Sequence, residues 1–256
     1  MSRYIWLKEL RGELYTWKST LWLVISSLLF SFTSYVLLTN KELSLLDQTE
    51  LLWILSKIII SVGFLVVTID ASSIITTEFE KETAESLFLT PLTLKDFILG
   101  KILASATLWF LIVIIAIPYI TVSSAGTGLA LAFAGYVLLF GTLGTLGLIL
   151  LIFSISFLYR SSKNTLTTSL IILLIFTIPA LFSSNLMNNY VINTFSKINP
   201  VSIIFACLDN VLVDFKLSIL SNMHYLIPLL VFTFITLFFL LLTSRKFSRQ
   251  GVIKND

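Results

Sequence analysis

The chain is poor in the residues from which most protein chemistry is built. It has one cysteine among 256 residues, Cys207. That excludes an intramolecular disulfide and any cysteine-based metal centre. The single histidine, His224, excludes H-E-x-x-H and every multi-histidine zinc site. No G-x-x-x-x-G-K-[ST] loop occurs to cradle nucleotide phosphates, and no G-x-S-x-G elbow presents a nucleophile. Charge is scarce as well. Asp, Glu, Lys and Arg make up 12% of the chain, about half of the roughly 25% found in soluble domains.

Hydrophobic residues take that space, at 57% of the sequence and a mean hydropathy of +0.97. Apolar runs of about 20 residues, the length that crosses a hydrocarbon layer, recur from end to end. They leave no room for a soluble domain larger than a loop. The expected fold is an all-α membrane protein, one transmembrane domain over residues 1–256. Six spans are expected at roughly Leu21–Leu38, Ile54–Ile74, Ile102–Val122, Leu129–Phe157, Leu166–Phe182 and Tyr225–Leu242. The N-terminus is expected to be retained, because its basic residues spread along a polar segment and no small-residue cleavage site follows the first apolar run.

Net charge +3 would suit nucleic acid, but the basic residues flank the apolar runs, so topology explains them and no nucleic-acid partner is expected. One set of segments holds 13 of the Lys and Arg residues; the opposite set holds Lys41, Lys197 and Lys216, with Lys57 near the outer end of the second span. By the positive-inside rule both termini are cytoplasmic, in a bacterial or archaeal inner membrane. Before the first span, Leu7, Leu10, Leu14, Trp17 and Leu21 recur at three- and four-residue steps opposite Lys8, Glu9, Arg11, Glu13 and Lys18. They predict an amphipathic helix in the headgroup layer, in contact with membrane lipids and anchored by Trp6 and Trp17.

The segment after the second span is the densest in signals. Thr77 and Glu80 fit an S/T-x-x-E capping box, so a helix is predicted to begin there, with Glu78, Glu82 and Glu85 on one face. Pro91 stops it by disfavouring helical geometry at Thr90, and Thr93 with Asp96 starts another that runs through Gly100 and Lys101 into the third span. A solvated loop explains the charges but not a cap, a stop and a second cap so close together. Clustered glutamates repel one another, a cost that a basic partner groove would offset.

These residues resemble the E…T-x-E-x-L…P…G-K pattern of the permease subunits of type 2 ABC transporters, carried by Glu78, Thr83, Glu85, Leu87, Pro91, Gly100 and Lys101. Where the family usually has glycine before the threonine, this chain has Glu82. The resemblance extends to the topology: an interfacial N-terminal helix, six spans, a charged elbow after the second and a long outer segment between the fifth and sixth. It implies that Glu78, Glu82, Glu85, Pro91 and Lys101 belong to a coupling helix seated on an ABC ATPase subunit. ATP and Mg would then lie on that partner, no cofactor on this chain, and a second permease copy or a paralogue would complete the pathway. Scarce charge in spans three to six points away from hydrated ions and toward an amphipathic or lipid-like cargo: a peptide, drug, lipid-linked glycan or haem-like porphyrin. Export is the direction expected. The competing reading is a membrane scaffold or sensor without transport, or an intramembrane enzyme.

In the fourth span Gly135, Gly141, Gly144 and Gly147, with Thr142 and Thr145, make a small-residue surface that serves helix packing, a subunit interface or a substrate path. Pro118 and Pro179 interrupt spans three and five. Asp70 either lines a substrate or proton path or ends its helix near the elbow. The outer segment carries an apolar stripe of Ile203, Ile204, Cys207, Leu208, Val211, Leu212 and Phe215, with Pro200 in the first helical turn. It is expected to lie in the outer interface or to form a re-entrant hairpin.

Overall fold

A computed structural model describes residues 17–39, 48–81, 93–181, 190–218 and 220–247. Among these residues every regular element is a helix: α1 Trp17–Thr39, α2 Gln48–Ile74, α3 Thr76–Glu80, α4 Leu94–Ser123, α5 Ala130–Tyr159, α6 Ser162–Leu181, α7 Tyr190–Ile198, α8 Pro200–Leu212 and α9 Met223–Phe247. Six of them (α1, α2, α4, α5, α6 and α9) are long and apolar enough to cross a membrane. The chain is thus a multi-pass membrane protein.

Every expected span has its helix, but the helices outrun the apolar runs. Helix α2 begins at Gln48 and α4 at Leu94, where the hydrogen-bond ladder continues past the hydrocarbon-length core. Trp17 and Leu21, expected in the interfacial helix, already belong to α1; residues 7–16 lie outside the described ones. Thr93 caps α4 as expected, its Oγ1 accepting from the Asp96 amide at 3.2 Å.

Helices α2 and α5 form the centre. Each touches α4, α6 and α8; α1 also lies on α2, and α9 on α5. Small residues set these distances. The Trp109 ring of α4 is buried and lies against Gly63 of α2 and Gly141 of α5, where a methyl group at either glycine would overlap it. Gly144 makes room for Phe64 and Ile204, and Gly147 for Phe232 and Thr233 of α9. These glycines of the fourth span are thus placed at helix contacts within the chain, whereas Gly135 faces open space.

Away from the elbow, α8 fills the space between α2, α5, α6 and α9. Asn199 holds its start: Oδ1 accepts from the Val201 amide at 3.0 Å, and Nδ2 donates to the Phe176 carbonyl of α6 at 2.7 Å. The predicted stripe is buried from Ile203 through Leu212. Phe215 departs from it, because the helix ends at Leu212 and a positive φ of 55° turns Phe215 outward to 57% exposure. Burial pushes the Cys207 thiol up to about 12, so this cysteine fills space rather than reacting. Tyr136 of α5 donates to the Leu217 carbonyl at 3.1 Å, and Asn222 donates to the Lys216 carbonyl at 2.7 Å, ordering the turn that leads into α9.

Candidate coupling site at the elbow

The end of α2 is built from hydroxyl residues that bond back to their own helix. Ser72 Oγ donates to the Ile69 carbonyl at 2.8 Å, Ser73 Oγ to Asp70 at 2.9 Å, Thr76 Oγ1 to Ser72 at 2.6 Å and Thr77 Oγ1 to Ser73 at 2.8 Å. Such back-bonds bend and weaken helices. The ladder breaks at Ile75, where the Glu78 amide bonds the Ile75 carbonyl at 3.2 Å in a tightened turn. That amide is the one a continuous α-helix would give to Ile74.

Lys101 reaches across from α4 to this carbonyl. Its Nζ donates to Ile74 O at 3.1 Å and to Glu78 Oε1 at 2.7 Å. The lysine side chain is 2% exposed and that of Glu78 16%. Phe97, one turn earlier on α4, lies beside the ammonium, with its ring centre 5.5 Å away. A buried charge is tolerated only where it is paired and hydrogen-bonded. Here one ammonium closes a helix break and neutralises a carboxylate in a single contact set.

The predicted capping box is not formed. Thr77 spends its hydroxyl on Ser73, and α3 has no side-chain cap. Glu80 instead crosses to α6, where Oε1 accepts from the Ser162 amide at 2.7 Å and Oε2 from the Ser162 hydroxyl at 2.8 Å. A carboxylate at a helix N-terminus satisfies an amide without a helical partner and meets the positive end of the dipole. The Thr76 and Ser162 hydroxyls lie 2.9 Å apart beside it. The rings of Phe79 and Phe157 of α5 approach at 5.9 Å.

Of the residues singled out in the sequence, Glu78 and Lys101 are thus in direct contact, 23 positions apart. Asp70 sits half-buried on α2, four residues before Ile74 and on the same face. Glu82, Glu85 and Pro91 lie outside the described residues. Sequence reasoning missed Ser162 as Glu80's partner; the only local signal was a polar Ser161-Ser162 pair opening the fifth span. No family model matches the chain, and no curated protein matches it.

Proposed function

We propose that the chain is the membrane subunit of an ATP-driven exporter, coupled to a separate ATPase through the segment that follows α3. The observation that carries this reading is the double clamp on α3: Glu78 to Lys101 of α4, and Glu80 to Ser162 of α6. A force applied beyond Glu80 would reach α2 through the chain, α4 through the ion pair and α6 through its capped end. A merely solvated linker needs no such three-way attachment. In this reading the ATPase holds ATP and Mg, two permease chains (identical or paralogous) enclose the pathway, and the cargo is amphipathic or lipid-like. The membrane is a bacterial or archaeal inner membrane with both termini cytoplasmic.

The test reverses Glu82 and Glu85 together to lysine, at matched expression. Each exposed pair contributes only about 0.2–1 kcal/mol, so single reversals are too weak to read. The expected result is loss of a co-purifying chain with Walker sequences, or hydrolysis that no longer responds to cargo, while membrane insertion is unchanged. Wild-type assembly and cargo-stimulated hydrolysis in the double variant would refute the coupling role.

A further inference from the structure

At the end of the bundle opposite Glu78, a cavity of about 410 Å³ opens between α2, α6, α7, α8 and α9. Trp53 and Ile74 are 21 residues apart on α2, so the two sites are separated by about 30 Å of helix. The cavity volume falls within the range of about 300–1,000 Å³ typical of small-molecule sites. Its charged and polar walls include Lys57, Lys197, Asp209, His224 and Tyr225, with Ser196 and Ser202.

Lys57 is the informative member. It stands two and a half turns inside an apolar helix, half-buried. Its Nζ lies 3.2 Å from the centre of the Trp53 ring and 5.9 Å from that of Phe205. The Trp53 indole is itself aimed, its Nε1 donating to the Phe205 carbonyl at 3.3 Å. Aromatic faces compensate a cation only in part. Asp209 acts on Lys57 through space, yet the two form no ion pair; among the described residues the ion pairs are Lys101–Glu78 and Lys216–Asp214. Burial and the neighbouring Asp214 both hold the Asp209 carboxyl above its usual range, so it is a reluctant anion. Two lysines face one carboxylate, so positive charge is in excess at the site.

An apolar groove adjoins this head site. Ile171, Leu174, Ile175, Ile178, Pro179 and Phe195 line it, almost without polar surface. The same two helices serve both: Pro179 and Phe195 face the groove, while their chain neighbours Ala180 and Ser196 face the cavity.

We propose that this cavity and groove together bind a single-chain amphiphile with one anionic head, a phosphate or carboxylate. The head would lie between Lys57 and Lys197, and the alkyl tail along α6 and α7. An anionic head offsets the excess positive charge of the site. A zwitterion would leave the excess positive charge, and a free inorganic anion would gain nothing from the groove. The inference goes beyond the exporter reading and does not rest on it, since the site belongs to one chain and needs no ATPase.

The experiment is native mass spectrometry of the full chain purified in dodecyl maltoside and titrated with dodecyl phosphate, dodecylphosphocholine or inorganic phosphate. One saturable dodecyl phosphate per chain is expected, with at least about tenfold weaker binding of the other two. Lys57→Met should weaken dodecyl phosphate about tenfold and Lys57→Arg should restore it, since a charge-assisted bond of this kind is worth that factor. Ala206→Phe, which places a ring in the cavity and leaves every charge in place, should weaken it similarly. Equal binding by Lys57→Met and the wild type would overturn the proposal, as would unchanged binding by Ala206→Phe. Inorganic phosphate or dodecylphosphocholine binding as well as dodecyl phosphate would overturn it too, by showing that the tail or the net charge is not read. ATPase is absent from the assay, so its outcome and that of the coupling test are separate.

Discussion

The ammonium of Lys101 is enclosed by a carboxylate, a main-chain carbonyl and a phenyl ring, and each partner comes from a different requirement of the fold. Replacing it with methionine would take from the Glu78 carboxylate the ammonium 2.7 Å away and from the Ile74 carbonyl its cross-helix donor. Removing one member of a buried pair costs about 3–5 kcal/mol, whereas replacing both by apolar groups is often close to neutral. Lys101→Met should therefore lower the unfolding midpoint in mild detergent by several degrees, and Lys101→Met/Glu78→Leu should recover most of it. A double variant no more stable than the single one would show that the pair is not the unit of stabilisation. The sequence marks Lys101 through the G-K pattern and Glu78 through the acidic elbow. Their contact is not legible there, because it depends on the helix break at Ile75, and no motif announces that a carbonyl has lost its amide.

Elements were easier to read than the links between them. A run of about 20 apolar residues can do little except cross a bilayer as a helix, so all six long helices were legible. Their ends were legible only where a cap marked them: Thr93 and Asp96 announce the start of α4, whereas Gln48 to Trp53 extend α2 with residues that hydropathy alone does not claim. The Thr77-x-x-Glu80 pattern misled for a physical reason: in a run with Ser72, Ser73 and Thr76, the hydroxyl has a preceding carbonyl within reach and takes it. Glu80 is then free to cap its neighbour. Glu80→Ala should thus accelerate amide hydrogen exchange in residues 163–168, the first turns of α6, and leave the turn at residues 77–81 nearly unchanged. The reverse pattern would restore the capping box. The aromatic and charged cavity at the far end was not legible either. Lys57, Lys197, Asp209 and His224 are spread over four separate helices or their ends, and only tertiary packing gathers them.

At the scale of the whole molecule the connecting segments sort to two ends independently of charge counting. Glu80 touches Ser162 at one end, and Tyr136 touches Leu217 at the other. We propose that the cytoplasmic end is the one that carries Lys81, Lys95, Arg160 and Lys163, as the charge rule predicts. On a Cys207→Ser background, a cysteine at Thr127 should react with an impermeant maleimide in intact cells, and one at Asn164 only after permeabilisation. Labelling in the opposite sense would invert the protein. Between the ends, α1, α6 and α9 present long rows of exposed apolar side chains, among them Phe32, Ile175 and Phe238, as a lipid-facing circumference requires.

The indole of Trp109 works as a key in two keyways. It occupies a depth at which α2 and α5 present glycine and no side chain, at Gly63 and Gly141. Shifting any one of the three helices along its axis by a single residue, about 1.5 Å, would drive ring atoms into main chain or into the next side chain. That close fit opposes sliding of α2 or α5 past α4. A rearrangement that preserves this contact must carry the three helices together.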